Sequence, residues 1–184
     1  MPIARKASSH LILQSAIDEA KKIKPPPDFP QSLMNIDEFN SKNMGAKSNN
    51  LKILKDKIES WILLPDSVCI PFKMFEYTLS LHPDIEKEIN LHIEELSSVT
   101  KVKKMNRLLY KCKELVMRLN LIEDDPHHKF LMVGLNKFGI AVKDKDIAWK
   151  TIKKVWASKF NERAFLATKK IGVTLHSIYM AVLV

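Results

Sequence analysis

The sequence predicts an α+β protein, rich in helix and carrying a few short strands. Three observations lead there. Apolar residues recur every three or four positions in several long runs, short β-branched apolar stretches separate those runs, and only 4 glycines occur in 184 residues. A composition of 46% hydrophobic and 28% charged residues is that of a folded domain rather than a disordered chain. The length fits one compact domain with an arm.

Ser8 or Ser9 caps a first helix whose apolar residues Leu11, Ile12, Ala16 and Ala20 run up to Lys24. Pro25, Pro26, Pro27 and Pro30 end it, because proline lacks an amide donor and pushes the preceding residue towards extended backbone. Residues 1–31 are therefore expected to form a helical arm and proline-rich linker, and 32–184 the compact domain. Residues 1–17 hold Arg5, Lys6 and His10 and no acid, a composition shared by transit peptides and helix-entry segments.

Met34-Asn35-Ile36-Asp37-Glu38-Phe39 alternates apolar and polar residues and predicts a short half-buried strand. Gly45 opens a helix with Leu51, Ile53 and Leu54 as its apolar residues. Ser67-Val68-Cys69-Ile70 predicts a strand stopped by Pro71, with a helix from Phe72 to about Leu81 after it. Ile85, Ile89, Ile93 and Leu96 mark an amphipathic helix over Asp84 to Leu96. Another spans Lys101 to Asn120 and turns Leu108, Leu109, Cys112, Leu115, Val116 and Leu119 inward. Asp124-Asp125-Pro126-His127-His128 reads as a turn. Trp149, Ile152, Val155, Trp156, Phe160 and Ala164 define one face of a single long helix from Trp149 to Lys170, with Lys153 and Lys154 exposed off that stripe. Ser177 to Val184 predicts an apolar strand.

The chain carries 30 Lys+Arg against 21 Asp+Glu, a formal net charge of +9, which favours anionic partners: nucleic acid, phosphorylated glucan, nucleotide or acidic lipid. No aromatic strand motif, zinc spacing or basic-region heptad marks a nucleic-acid module. No apolar run approaches the ~20 residues of a membrane helix. Cys69 and Cys112 lie in apolar settings outside any CxxC pair and read as buried reduced thiols, consistent with a reducing compartment. His127-His128 has no third ligand at metal-site spacing, so no metal centre is expected.

Residues 153–164, Lys-Lys-Val-Trp-Ala-Ser-Lys-Phe-Asn-Glu-Arg-Ala, resemble part of the ATP-binding domain of the α-glucan, water dikinases. Those enzymes phosphorylate starch and belong with the pyruvate, phosphate dikinases and phosphoenolpyruvate synthases. Two further islands resemble the same family in the same order. Gly45-Ala46-Lys47-Ser48-Asn49-Asn50-Leu51 matches its Gly-x-Lys-x-x-x-Leu element. Leu64-Pro65-Asp66-Ser67-Val68-Cys69-Ile70-Pro71-Phe72 is similar to its apolar-Pro-x-Ser-Val-x-Leu-Pro-Phe segment. The resemblance covers about residues 34–80 and 146–184.

This resemblance implies a partial ATP-grasp-like nucleotide-binding domain over 32–184. It implies Lys47 as a contact to the phosphates of ATP, with Gly45 before it and Arg163 and Lys169 as further basic groups. The chemistry is sound: glycine admits a ligand close to the backbone, helix-start amides point outward, and an ammonium neutralises phosphate. The element is not a Walker A loop, which would require GxxxxGK[ST]. ATP with Mg is the implied cofactor, and α-glucan or starch the acceptor of the full enzyme. A plant member would work in the plastid, a protist one in the cytosol.

The chain also departs from the family. Lys73 stands where the family has glycine after Pro-Phe. None of the six histidines has the family's His-x-Ser-x-x-Arg-like setting, and the Arg-Ser-rich strand, acidic Mg ligands, closing Gln-Thr-Arg segment and starch-binding modules are missing. Phosphoryl transfer requires Mg and several cations placed around the phosphates together. The expectation is thus the ATP-binding portion of a dikinase, incomplete alone and with no catalytic residue of its own. Composition by itself also fits a basic helical adaptor for an acidic protein or nucleic acid, which would show steep salt dependence and no nucleotide effect on melting.

Overall fold

The computed structural model describes residues 33–137 and 145–184, so the expected N-terminal arm and proline linker lie outside the described residues. Three strands, β1 (Met34–Asn35), β2 (Val68–Ile70) and β3 (Val182–Leu183), form one antiparallel sheet in that order. Cys69 is its centre, facing Met34 on one side and Leu183 on the other. Seven α-helices occur among the described residues: α1 (Ala46–Lys55), α2 (Met74–Ser80), α3 (Pro83–Ser98), α4 (Val102–Met117), α5 (Pro126–Lys137), α6 (Lys145–Ala157) and α7 (Glu162–Ile171). The α+β, helix-rich class is what the pattern predicts.

The core follows from the helical repeat. Ile89, Ile93 and Leu96 of α3 meet the row Met105, Leu108, Leu109, Cys112, Leu115 and Val116 of α4, all buried. On the other side of α4, α6 buries Trp149, Ile152 and Trp156. Trp156 is fully buried, edge-on to Trp149 at 5.5 Å and tilted against Phe75 of α2 at 5.6 Å. Aromatic pairs in such geometry add about 0.5–1.5 kcal/mol beyond area burial. A smaller cluster of Met34, Phe39, Met44 and Cys69 sits under the sheet. Both cysteines are buried free thiols, as expected.

Several boundaries differ from the sequence reading. The strand expected over 34–39 stops after Asn35, whose side chain accepts the Asp37 amide at 2.9 Å while Glu38 accepts the Asn35 amide at 2.8 Å. This capping box turns residues 36–38 into a 3-10 turn. The Asp125–Pro126 turn is the entrance of α5: Asp125 Oδ1 accepts the amides of His127 and His128, and Pro126 occupies the first helical position. Gly134 lets α5 approach closely, since a Cβ there would stand 2.6 Å from Leu33 Cδ1.

The single helix expected from Trp149 to Lys170 is two. Its register breaks at a 3-10 turn, Ser158–Phe160, and at Asn161, whose extended backbone (φ −73°, ψ 142°) restarts the chain as α7. An Asn followed by Glu162 is a helix-start pair, which the apolar periodicity masked. Gly172, in the left-handed conformation, ends α7. The strand expected over 177–184 shrinks to Val182–Leu183 behind a 3-10 turn at Leu175–Ser177. Ile53 and Leu54, expected on the apolar face of α1, are exposed, and the buried residue of that helix is Ser48.

Candidate functional site

The entrance of α1 is held against the far end of β2. Ser48 Oγ donates to Cys69 Sγ at 3.5 Å within the buried interface, and the Phe72 amide donates to the Asn43 carbonyl at 2.8 Å. Burial pushes the Cys69 thiol up from its ordinary pKa, so this sulfur stays protonated. Gly45 is the cap residue and offers no side-chain acceptor, so the first-turn amides of α1 look outward unsatisfied by a cap. Its backbone is extended (φ −74°, ψ 165°), and a Cβ there would meet nothing within 4 Å. The space over this helix start is open.

Lys47 is exposed on that first turn and forms no ion pair with a described residue. The next lysines are committed elsewhere. Lys52 Nζ donates to the Asp37 carbonyl at 2.6 Å, and Lys55 pairs with the Asp37 carboxylate at 2.6 Å. Those two bonds fasten the far end of α1 to the 36–38 turn and leave the Lys47 ammonium uncommitted.

Arg163 lies exposed on the first turn of α7, with no ion pair to a described residue, neighbouring Glu162 included. Lys169 is engaged. Its ammonium donates to the Val99 carbonyl at 3.0 Å, at the end of α3, and lies 5.8 Å over the Phe165 ring. It also lines a cleft of about 330 Å³ between α3 and α7 with Ile93, Phe165 and Leu175. Neither Lys47 nor Arg163 lines that cleft. The structure thus groups Gly45 with Lys47 at the end of β2, and places Arg163 and Lys169 on α7.

Two lysines inside the 153–164 segment have roles the sequence did not suggest. Lys153, expected in solvent, is half-buried and donates to the carbonyls of Met117 (2.7 Å) and Leu119 (2.8 Å), closing the end of α4 beside the Trp149 indole, which also donates to Leu119. Burial draws its ammonium pKa down, with Lys150 adding to the effect. Lys159 is 6% exposed, pairs with Glu76 of α2 at 3.3 Å and lies 5.2 Å over Phe75. Burial lowers its pKa against the opposing pull of Glu76. The signal was present: Lys159 falls three residues after Trp156, on the stripe that otherwise carries only apolar residues.

No group of three His, Cys, Asp or Glu among the described residues could hold a metal. His128 is fully buried and spent on protein contacts, with Thr78 Oγ1 at 3.0 Å and the Ile122 amide at 3.0 Å. No described helix is long and apolar enough to cross a membrane.

No family model matches the sequence, and no solved structure matches it. Individual proteins do. The chloroplastic α-glucan water dikinase of Citrus reticulata is 36% identical over 155 residues, 80% of this chain and 10% of that protein. Its sequence kin are the α-glucan water dikinases. The chloroplastic enzyme of Solanum tuberosum is 34% identical over 154 residues, covering 82% of this chain and 10% of its own length. α-Glucan water dikinase 2 of Arabidopsis thaliana is 33% identical over 152 residues, covering 80% and 11%. This dikinase-like chain therefore spans about a tenth of the length of the curated relatives it matches.

Proposed function

We propose that this chain is the ATP-binding portion of an α-glucan, water dikinase-like phosphotransferase, receiving the polyphosphate at the entrance of α1. The observation that carries the reading is Lys47: an exposed, unpaired ammonium two residues after an uncapped helix start, in a segment of dikinase-like sequence. Charge and outward amides suit an anion there, and Gly45 leaves the approach clear. Arg163 is the second candidate contact. Lys169 would contribute only by giving up the Val99 carbonyl.

No cluster of three His, Cys, Asp or Glu lies among the described residues, so a magnesium ion would arrive with the nucleotide, held chiefly by its phosphates. When bound, ATP supplies the transferable phosphoryl group. What this chain does is bind and orient the polyphosphate, since two or three cations are too few for the transfer itself. The glucan acceptor and a plastid location come from the relatives' names and belong to the same proposal.

Calorimetric titration with Mg·ATP tests it. Binding to the intact chain is expected, with Lys47→Ala weakening it about tenfold or more, the worth of a hydrogen bond to a charged group. ATP should also raise the melting temperature by mass action. Absence of heat from both proteins at millimolar nucleotide would remove the ATP reading, while steep salt-dependent binding to DNA would point to a basic adaptor.

A further inference from the structure

Two histidines tie α2 to the connection between α4 and α5 through a shared residue, Thr78, which is fully buried. His82 Nε2 lies 3.2 Å from the Asn120 amide, and its Nδ1 lies 2.9 Å from the Thr78 carbonyl. His128 Nδ1 lies 3.0 Å from the Ile122 amide, and its Nε2 lies 3.0 Å from Thr78 Oγ1. An amide N–H can only donate, so Nε2 of His82 and Nδ1 of His128 must carry lone pairs. Both rings are therefore neutral, in opposite tautomers: His82 donates from Nδ1 to the Thr78 carbonyl, and His128 donates from Nε2 to the Thr78 hydroxyl. Alternate amides of the α4–α5 connection, 120 and 122, are thus received by two imidazoles anchored on the same threonine.

We propose that His128 is a proton-operated latch that, with His82 bonded beside it, fastens the α4–α5 connection to α2 while its ring is neutral and releases it when the ring is protonated. The His128 ring takes one proton from solvent onto Nδ1, the nitrogen that receives the Ile122 amide. The new N–H then points at an N–H, and an acceptor becomes a second donor.

The surroundings set the balance. Tyr77 of α2 donates to Asp125 Oδ2 at 2.6 Å, and Asp125 Oδ1 receives the His127 and His128 amides, so its carboxylate favours a charged His128. The His127 ring packs on Tyr77 at 4.5 Å, Trp149 of α6 stands edge-on to His128 at 5.2 Å, and Asp84 opens α3 beside His82. Glu123 and Asp124 lie in the tethered segment itself, and Lys153 is spent on the carbonyls of Met117 and Leu119. Burial outweighs the pull of Asp125 and holds His128 below its ordinary value of 6.5. For a depressed group the closed form is fully stable above that ordinary value and loses stability as pH falls below it.

Amide hydrogen exchange at Asn120 and Ile122 tests the latch, in the intact chain and in His82→Gln/His128→Gln, where glutamine keeps a neutral acceptor that does not titrate. Between about pH 7.5 and 5.5, protection at the two amides, corrected for intrinsic rate, should fall by up to about tenfold. Leu108 and Leu109 in the α4 core should keep theirs, and the double variant should be flat. Unchanged protection at Asn120 and Ile122 down to the acid end overturns the latch. So does a loss shared equally with Leu108 and Leu109, or a variant with the wild-type pH profile. If the variant fails to fold, the contrast between the two loop amides and the two core amides decides alone.

Discussion

Replacing Lys73 by glycine should stabilise this protein, and the size of the gain follows from one dihedral angle. Lys73 has φ 72° and ψ −10°, and no other non-glycine among the described residues has a positive φ. Holding an L-residue in the left-handed region costs about 1–2 kcal/mol, because Cβ crowds the following carbonyl. Glycine escapes that cost but gives the unfolded chain more freedom, worth about 0.4–1 kcal/mol. The lysine ammonium makes no ion pair with a described residue to offset that cost. The net expectation is about 1 kcal/mol of stabilisation. For a chain of this length that is a rise in Tm of about 2–4 °C. In urea the midpoint should move up with an unchanged slope. Lys73→Ala is the control, because it removes the charge and keeps the strained backbone; it should stay within about 0.5 kcal/mol of wild type. If glycine proves no more stable than alanine, the left-handed backbone is not the source of strain and the reasoning fails.

Asp125→Ala should cost about 2–3 kcal/mol in denaturant titrations, since it removes the cap of α5 and the acceptor of the Tyr77 hydroxyl together. Burial, the hydrogen bond to Asp125 and its charge push the Tyr77 phenol up to about 12, so ultraviolet titration of Asp125→Asn should show that pKa falling; no change would break the link. Burial works against ionised Asp125, yet the Tyr77 hydroxyl, the His128 amide and, once protonated, the charges of His128 and His127 together hold its pKa below the ordinary 3.8. Its contribution is therefore present above that value and lost as pH falls through the folded pKa. Lys159→Met alone should cost about 2–3 kcal/mol, discounted for the partial exposure of Glu76, and Lys159→Met/Glu76→Leu should recover most of it. Equal losses in the single and double variants would show that the ion pair is not what holds α2 to the end of α6.

Elements with strong periodicity were legible from the chain. The inward row from Leu108 to Leu119 is buried as read, because α4 packs on α3 and α6 and a 3.6-residue stripe has one place to go. The strand at Val68–Ile70 survives because β-branched apolar residues before Pro71 have both neighbours to pair with. What escaped was decided locally at element ends. Asn35 with Glu38 cut a strand short and Asp125 turned an apparent loop into a helix entrance by capturing backbone amides, whereas Asn161 divides a long helix through its extended backbone. None of these disturbs apolar spacing, which is why spacing missed them. In the candidate site, Gly45 and Lys47 stand together at a helix entrance as the motif implied, whereas Lys169 is occupied by a carbonyl from another helix. That partner, 70 residues away, is beyond any local pattern. The family's glycine at position 73 did carry information: it marks the left-handed residue that lysine fills here under strain.

The register of the small sheet has a kinetic consequence. Cys69 must find Met34 on one side and Leu183 on the other, so one edge closes a short loop and the other a loop spanning most of the described chain. Loop closure grows costlier with separation, while the α3–α4 hairpin needs only neighbours. The helices are therefore expected to assemble first, with β3 docking last. A ribosome must release Val182 before Ile70 gains its partner, which leaves the second edge of β2 bare throughout synthesis of everything in between.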